Sequence, residues 1–478
     1  MKNKIPFLTA FVAVALALLG CASETTSTEN QLDTPDIPAS LVKSETINAA
    51  VVENGNISLK TGLDHTTFLA DGGSRTGYLY VETKAGKSER IDDKRTPLNL
   101  SIVIDRSGSM DGQKLRYAKE AAEFVVGQLS SEDYLSIVVY DDEVSIISSA
   151  AHVTNKEALR KQIRNIRTDG STNLHGGMME GYAQVKRNHS NGYVNRVLLL
   201  SDGLANAGIT SQTELQQIAK TKSNEHGISI STFGIGNDFN ENLMTGLSEY
   251  GSGNYYFIEE PGEIPTIFEK ELKGLLAVVA QNAKLKIDLP SGVKLDKLFG
   301  YKYDQKGNQV TVNFRDVFSE ETKAIMLRFT VEDANLAPFN FRTTLTYNDA
   351  SDEAQQNLKL EKDDLLTKAA GIPDWERSED EEIMAQAVLF ESNDRLEEAM
   401  RLVDERDYDK ARKTVKENEE YLRDNVKYVD KSEELQEQEN TNTSYRDKIK
   451  NAEVMSESEM KSVQKSTKSY NYQTRKKK

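Results

Sequence analysis

A single cysteine, Cys21, stands in this chain of 478 residues, which excludes an intramolecular disulfide. Histidine is nearly as scarce. His65, His152, His189 and His226 fall in loops or at helix ends without ligand spacing, which argues against a zinc centre. Positive charge is outweighed, with 60 Lys and Arg against 76 Asp and Glu, and the net charge of −16 disfavours nucleic acid as a general partner. The one long apolar run, Phe7 to Leu19, is too short for an ordinary membrane span. Gly234-Ile235-Gly236 lacks the third glycine and the downstream acidic residue of a dinucleotide loop. Asp141-Asp142-Glu143 lacks the glycine and regularly spaced oxygen ligands of a calcium loop, and reads as the polar end of a strand entering a hairpin.

What is present begins with composition. A hydrophobic content of 37% over this length is ample for two or three domains with their own cores. Residues 1–20 read as a signal peptide: Lys2 and Lys4 form a positive leading region, and the apolar run follows. It closes on Leu18-Leu19-Gly20-Cys21, which resembles the bacterial lipobox and implies cleavage before Cys21 and lipidation of its thiol. Anchoring would then be by acyl chains. Ala22 stands where an Asp would mark inner-membrane retention, so a cell-envelope location is expected, with the outer membrane favoured where there is one. Residues 21–44 are rich in Ser, Thr, Glu, Asp and Pro and read as a disordered tether.

The chemistry gathers at Leu98 to Met110, LNLSIVIDRSGSM. Leu100, Ile102, Val103 and Ile104 read as a buried strand that ends at Asp105-Arg106-Ser107-Gly108-Ser109, just before a helical pattern. Ligands of open α/β sheets bind at the carboxyl ends of the strands. One carboxylate and two hydroxyls on alternate positions of such a loop are hard oxygen donors that suit Mg²⁺ better than zinc or copper; a serine-rich helix cap is the plainer alternative. Two more segments add donors: Asp169-Gly170-Ser171-Thr172-Asn173-Leu174 before another helix, and Val197 to Gly203, where a second buried strand ends on Ser201-Asp202.

In this order the three segments resemble the metal-ion-dependent adhesion site of von Willebrand factor type A domains. The resemblance continues through Ser231 to Gly236 and Gly251 to Tyr256, and covers residues 96 to 275. It implies that Asp105, Ser107, Ser109, Thr172 and Asp202 hold Mg²⁺, with Ca²⁺ or Mn²⁺ as alternatives, and that one coordination position is left for an Asp or Glu carboxylate of a partner protein. Arg106, Asn173, His175 and the Leu204 to Ala207 stretch, Leu204 and Asn206 foremost, would form the partner-binding rim. By the same resemblance, ligation would couple to a shift of the closing helix. No enzyme activity is expected, because Ser107 and Ser109 have no histidine near them in sequence and no G-x-S-x-G elbow. His175 follows Thr172 closely, yet reads best as a first-turn helix residue.

The fold class expected is α/β: a Rossmann-like domain with a mostly parallel central sheet at 95–280, flanked by a β-sandwich-like domain and a C-terminal helical segment. Strand and helix alternate from Leu98 to a closing helix at Ile264 to Val279. Short β pieces at 45–94 are too few to close a sheet and are expected to pair with the β-rich segment at 281–362, where apolar and polar residues alternate. Residues 363–430 carry three apolar stripes at helical spacing, and Arg406 to Ala411 looks like the junction of a tetratricopeptide-type hairpin; one unit cannot form a solenoid, so a small bundle is expected. The tail at 431–478, poor in apolar residues and ending Arg475-Lys476-Lys477-Lys478, reads as weakly helical or disordered. Together these readings point to a lipid-anchored envelope protein that binds a protein partner through a metal. An envelope scaffold with a structural metal and an accessory subunit of a hydrolase are the competing readings.

Overall fold

The computed structural model describes residues 51–70, 75–88, 95–350 and 356–477. The expected signal segment, Cys21 and the tether lie outside the described residues. Among the described residues no helix is long and apolar enough to cross a membrane.

The chain opens with four strands, β1 (Val51–Asn54), β2 (Ile57–Leu63), β3 (Thr67–Phe68) and β4 (Thr76–Ala85). An alternating unit follows: β5 (Leu98–Asp105), α1 (Gln113–Gln128), β6 (Tyr134–Tyr140), β7 (Val144–His152), α2 (Lys156–Arg164), α3 (Leu174–Arg187), β8 (Val194–Ser201), α4 (Gln212–His226), β9 (Ser229–Ile235), α5 (Glu241–Tyr250), β10 (Tyr255–Ile258) and α6 (Ile264–Leu276). Strands return with β11 (Val278–Asp288), β12 (Val293–Phe299), β13 (Asp304–Lys306), β14 (Gln309–Phe318), β15 (Thr322–Val331), β16 (Phe339–Asp349) and β17 (Asn357–Lys368). Helices α7 (Ile372–Arg377), α8 (Glu381–Asp404), α9 (Tyr408–Asp424), α10 (Val426–Val429), α11 (Glu433–Ile449) and α12 (Glu457–Lys476) complete the chain.

The alternating unit has a six-stranded sheet in the order β10-β9-β8-β5-β6-β7, parallel except for β7. All eight residues of β5 are buried, as two covered faces require. Leu98, Leu100, Ile102 and Ile104 pack on the side of α1 and α6, while Val103 points to α3, so the period of two sorts one strand into two cores. Chain order leaves β5 for β6 on one side and returns to β8 on the other. That reversal makes the carboxyl ends of β5 and β8 the topological switch point, where a crevice opens.

The β-rich parts form two sheets, β1-β2-β4-β15-β12 and β13-β14-β11-β16-β17-β3, whose inner faces share one core. Nine residue pairs join β4 to β15 antiparallel, so this sandwich is assembled from segments on both sides of the alternating unit. The closing helix ends earlier than its apolar pattern suggests. Helix α6 stops at Leu276, and the β-branched Val278 and Val279 begin β11: Val279 enters the sandwich core, while Val278 pairs with Phe318 of β14 and packs on the core of the alternating unit.

Residues 433–476 differ most from expectation, forming two full helices where the composition reads as a solvated tail. Helix α12 lies against α8 and α5. Tyr472 enters the core beside Tyr255, and Asn393 and Asn471 exchange amide-to-carbonyl bonds of 3.0 and 3.1 Å. Arg475 reaches the buried Glu249 at 2.6 Å, and the Lys476 ammonium sits 3.6 Å from the centre of the Tyr301 ring. Arg475, Lys476 and Lys477 of the terminal basic cluster are therefore paired and largely buried.

Burial opposes ionisation of Glu249, but the charges of Arg475, Lys476 and Lys302 outweigh it and bring its pKa down to about 2 from an ordinary 4.5. A carboxylate lowered in the folded state contributes stability that is present above its unfolded value and is lost as pH falls through the folded one. Urea unfolding of the wild type is therefore expected to weaken between about pH 4.5 and about pH 2 through this group. Glu249→Gln should be less stable at neutral pH and show a flatter acid limb; an unchanged acid limb would argue that the pair contributes nothing.

Candidate metal centre at the switch point

Asp105 is the last residue of β5 and has no exposed surface. Its Oδ1 accepts from the Ser107 backbone N–H at 2.9 Å and its Oδ2 from Ser201 Oγ at 2.7 Å. Burial raises its pKa above the usual carboxylate range against these hydrogen bonds, and the charge of nearby Asp202 adds to the rise. The short turn continues with Ser107 Oγ 3.2 Å from Ser109 Oγ, which in turn donates to Asp202 Oδ1 at 2.8 Å. Asp202 follows the end of β8 and is also fully buried.

The second loop is held over this group by backbone bonds. Asp169 N donates to Arg106 O at 2.9 Å and Gly108 N to Gly170 O at 3.2 Å. Thr172 is locked to Asn206 in both directions, its N–H donating to Asn206 Oδ1 at 3.0 Å and its carbonyl accepting from Asn206 N at 3.1 Å. Gly203 keeps the centre open: a Cβ there would stand 3.1 Å from Thr172 Oγ1 and 3.8 Å from Ser109 Oγ. The five residues singled out in the sequence thus come from three loops to one place.

The donor set is two carboxylates and three hydroxyls, all hard oxygens. Among the described residues no group of three or more His, Cys, Asp or Glu is placed to hold a metal ion, so an ion here would depend on the hydroxyls. Two buried carboxylates at one strand-end crevice are costly unless a cation is near. The residues present therefore fit a hard divalent cation.

The rim residues divide. Arg106 pairs with the buried Asp141 at 2.7 Å, and Asn173 caps α3 by accepting from Gly176 N at 2.9 Å. Asn206 is exposed but its amide oxygen is used on Thr172. His175 is half-buried in the first turn of α3. Leu204, two residues after Asp202, is 56% exposed and is the strongest candidate for outside contact.

Two residues escape a sequence reading. Ser201 is hidden in the strand end before Asp202, and only its place next to that carboxylate hints at its bond to Asp105. Lys114 lies in the first turn of α1, with Nζ 2.5 Å from Asp202 Oδ2. Helix α5 is capped by Asn240, whose Oδ1 accepts from Leu243 N at 3.0 Å.

Comparison with known proteins bears on the fold that carries this site. The family model of the von Willebrand factor type A domain matches residues 99–270. The chain therefore contains a von Willebrand factor type A domain, with the Rossmann-like fold of that class. Among its relatives is the Escherichia coli (strain K12) protein named Uncharacterized protein YfbK, 30% identical over 220 residues, 45% of this chain and 38% of the relative. Uncharacterized protein sll0103 of Synechocystis sp. is 27% identical over 220 residues, 46% of this chain and 51% of the relative. The match thus spans about half or less of these curated relatives. A solved structure described as von Willebrand factor type A from Catenulispora acidiphila superposes with a TM-score of 0.63 at 16% identity, covering 80% of this chain and 91% of that one, so the likeness in fold extends beyond the matched domain.

Proposed function

We propose that this is a lipid-anchored cell-envelope protein whose von Willebrand factor type A domain binds a partner protein through a metal-coordinated acidic residue, and that it is not an enzyme. The observation that carries this reading is the convergence of Asp105, Ser107, Ser109, Thr172 and Asp202 at the switch point around the space that Gly203 leaves open. These residues would hold Mg²⁺, with Ca²⁺ or Mn²⁺ as alternatives. A bound divalent ion would supply a Lewis-acidic position for an outside Asp or Glu carboxylate. The protein's own part is to fix the hydroxyls: Asn206 sets Thr172, and the turn at Ser107 is tied to Asp105. Exposed Leu204 would add apolar contact beside the ion. Against a hydrolytic reading, the hydroxyls of Ser107 and Ser109 contact each other, Asp105 and Asp202, and no imidazole is bonded to either among the described residues. Lipidated Cys21 would supply the membrane attachment, with the outer membrane favoured.

The test is capture of partners from detergent-solubilised membranes by the chain from Ala22 onward, in Mg²⁺, in chelator, and with Thr172→Ala. A partner retained in Mg²⁺, lost in chelator and weakened about tenfold or more by Thr172→Ala is expected. The same partners in all three conditions would overturn the reading in favour of a structural metal.

A further inference from the structure

Lys114 is the second residue of α1, whose first turn contains no acidic residue. A helix N-terminus carries about half a positive charge, so an ammonium there stands against the dipole. What holds it is Asp202. Lys114 Nζ lies 2.5 Å from Oδ2 of that fully buried carboxylate, and the lysine side chain is itself only 26% exposed. The other oxygen, Oδ1, is occupied by Ser109 Oγ at 2.8 Å. The turn after β9 borders the lysine: Gly236 adopts φ +68°, and a Cβ there would make ordinary van der Waals contact, 3.9 Å from both Lys114 Cε and Nζ.

We infer that Lys114 is a tethered cation that competes with the divalent ion for the charge of Asp202, and so sets both the metal affinity of the site and its demand for an anionic partner. This rests on the metal-site reading above. Asp105 and Asp202 supply two negative charges when ionised and Lys114 one positive, leaving a protein charge of −2 + 1 = −1 at the site. A divalent ion added to that charge leaves a net positive centre, which an outside carboxylate completes. Without the lysine the ion would be neutralised by the protein alone: metal would bind more tightly and the partner carboxylate less so. The lysine also holds Asp202 by the oxygen that Ser109 does not use, so the carboxylate is fixed from both ends before any ion arrives.

The experiment is calorimetric titration of the full chain with Mg²⁺ and with Mn²⁺, for wild type, Lys114→Gln and Lys114→Arg, together with melting temperatures in chelator. Lys114→Gln is expected to bind both ions on the order of tenfold more tightly, because a positive charge beside the ion is removed. Its metal-free melting temperature should fall, because the fully buried Asp202 loses its cation. Lys114→Arg should bind metal as the wild type does. If wild type binds the ions and Lys114→Gln binds them equally or more weakly, the inference about Lys114 is overturned while the metal-site reading stands. If neither binds, both are overturned. Should Lys114→Gln fail to fold without metal, Lys114→Arg carries the test, and a tenfold departure from wild-type affinity would overturn the inference.

Discussion

Replacing Asp105 by alanine is expected to abolish the stabilisation of this protein by Mg²⁺ while leaving its metal-free stability unchanged or higher. Asp105 ends the central strand with no exposed surface, and burial raises its pKa, with a smaller contribution from the charge of Asp202. Lys114 pairs with Asp202 and not with Asp105, so without a divalent ion the buried Asp105 charge opposes folding, and its removal offsets the loss of the bonds from Ser107 and Ser201. With a divalent ion bound, it would be the one carboxylate donor of the first loop. A ligand that binds only the folded state stabilises it by about 2.7 kcal/mol at a hundred times its Kd. Differential scanning calorimetry across an Mg²⁺ series should therefore show a rising melting temperature for wild type and a flat line for Asp105→Ala. A variant that kept the full Mg²⁺ shift would place the metal elsewhere.

The second large effect is expected at Arg196, in β8 and 1% exposed. Its Nη1 donates to Glu271 Oε1 at 3.1 Å and to Ser231 Oγ at 3.0 Å, and its Nη2 to Asp316 Oδ2 at 2.8 Å. Glu271, on α6, also accepts from Asn254 at 2.7 Å and Tyr256 at 2.8 Å, and Asp316 belongs to β14 of the sandwich. Arg196→Leu would strand two carboxylates without their cation, and breaking a buried pair in this way typically costs about 3–5 kcal/mol. Glu271→Gln in the same background should recover part of the loss, because the two changes share one network. Urea unfolding of the single and double variants measures both, and a cost below about 1 kcal/mol for Arg196→Leu would show that the network is dispensable. The same bonds bear on the helix shift that the family resemblance implies. Moving α6 along its axis would break the contacts of Glu271 and pull on β11, which starts two residues after the helix ends. Any such movement must include the sandwich.

How much of this was legible follows from the range of each signal. The strand at Leu98–Asp105 and the helix after it were readable because burial on two faces writes a continuous apolar run, and an amphipathic helix writes a stripe, within a dozen residues. The metal-ligand candidates were readable because two of the three loops follow directly on such strands. Helix α12 was not, for a physical reason: its buried positions include Gln464, Lys465, Thr467, Asn471 and Lys476, of which Gln464, Lys465 and Asn471 bond to the carbonyls of Met400, Phe239 and Asn393, far along the chain. A periodicity of apolar residues cannot register a buried face that is polar.

The sequence by itself determined the alternating α/β unit, the inserted position of that unit between two β-rich segments, and the identity of the five oxygen-bearing residues in the three loops. Only the tertiary structure decided which charges meet. Lys114 finds Asp202 across 88 positions, Arg196 finds Asp316 across 120, and Arg475 finds Glu249 across 226. Local propensity acts over a few residues and is written in each segment. An ion pair depends on where the sheet order and the helix packing bring two distant segments, and no short stretch of chain carries that information.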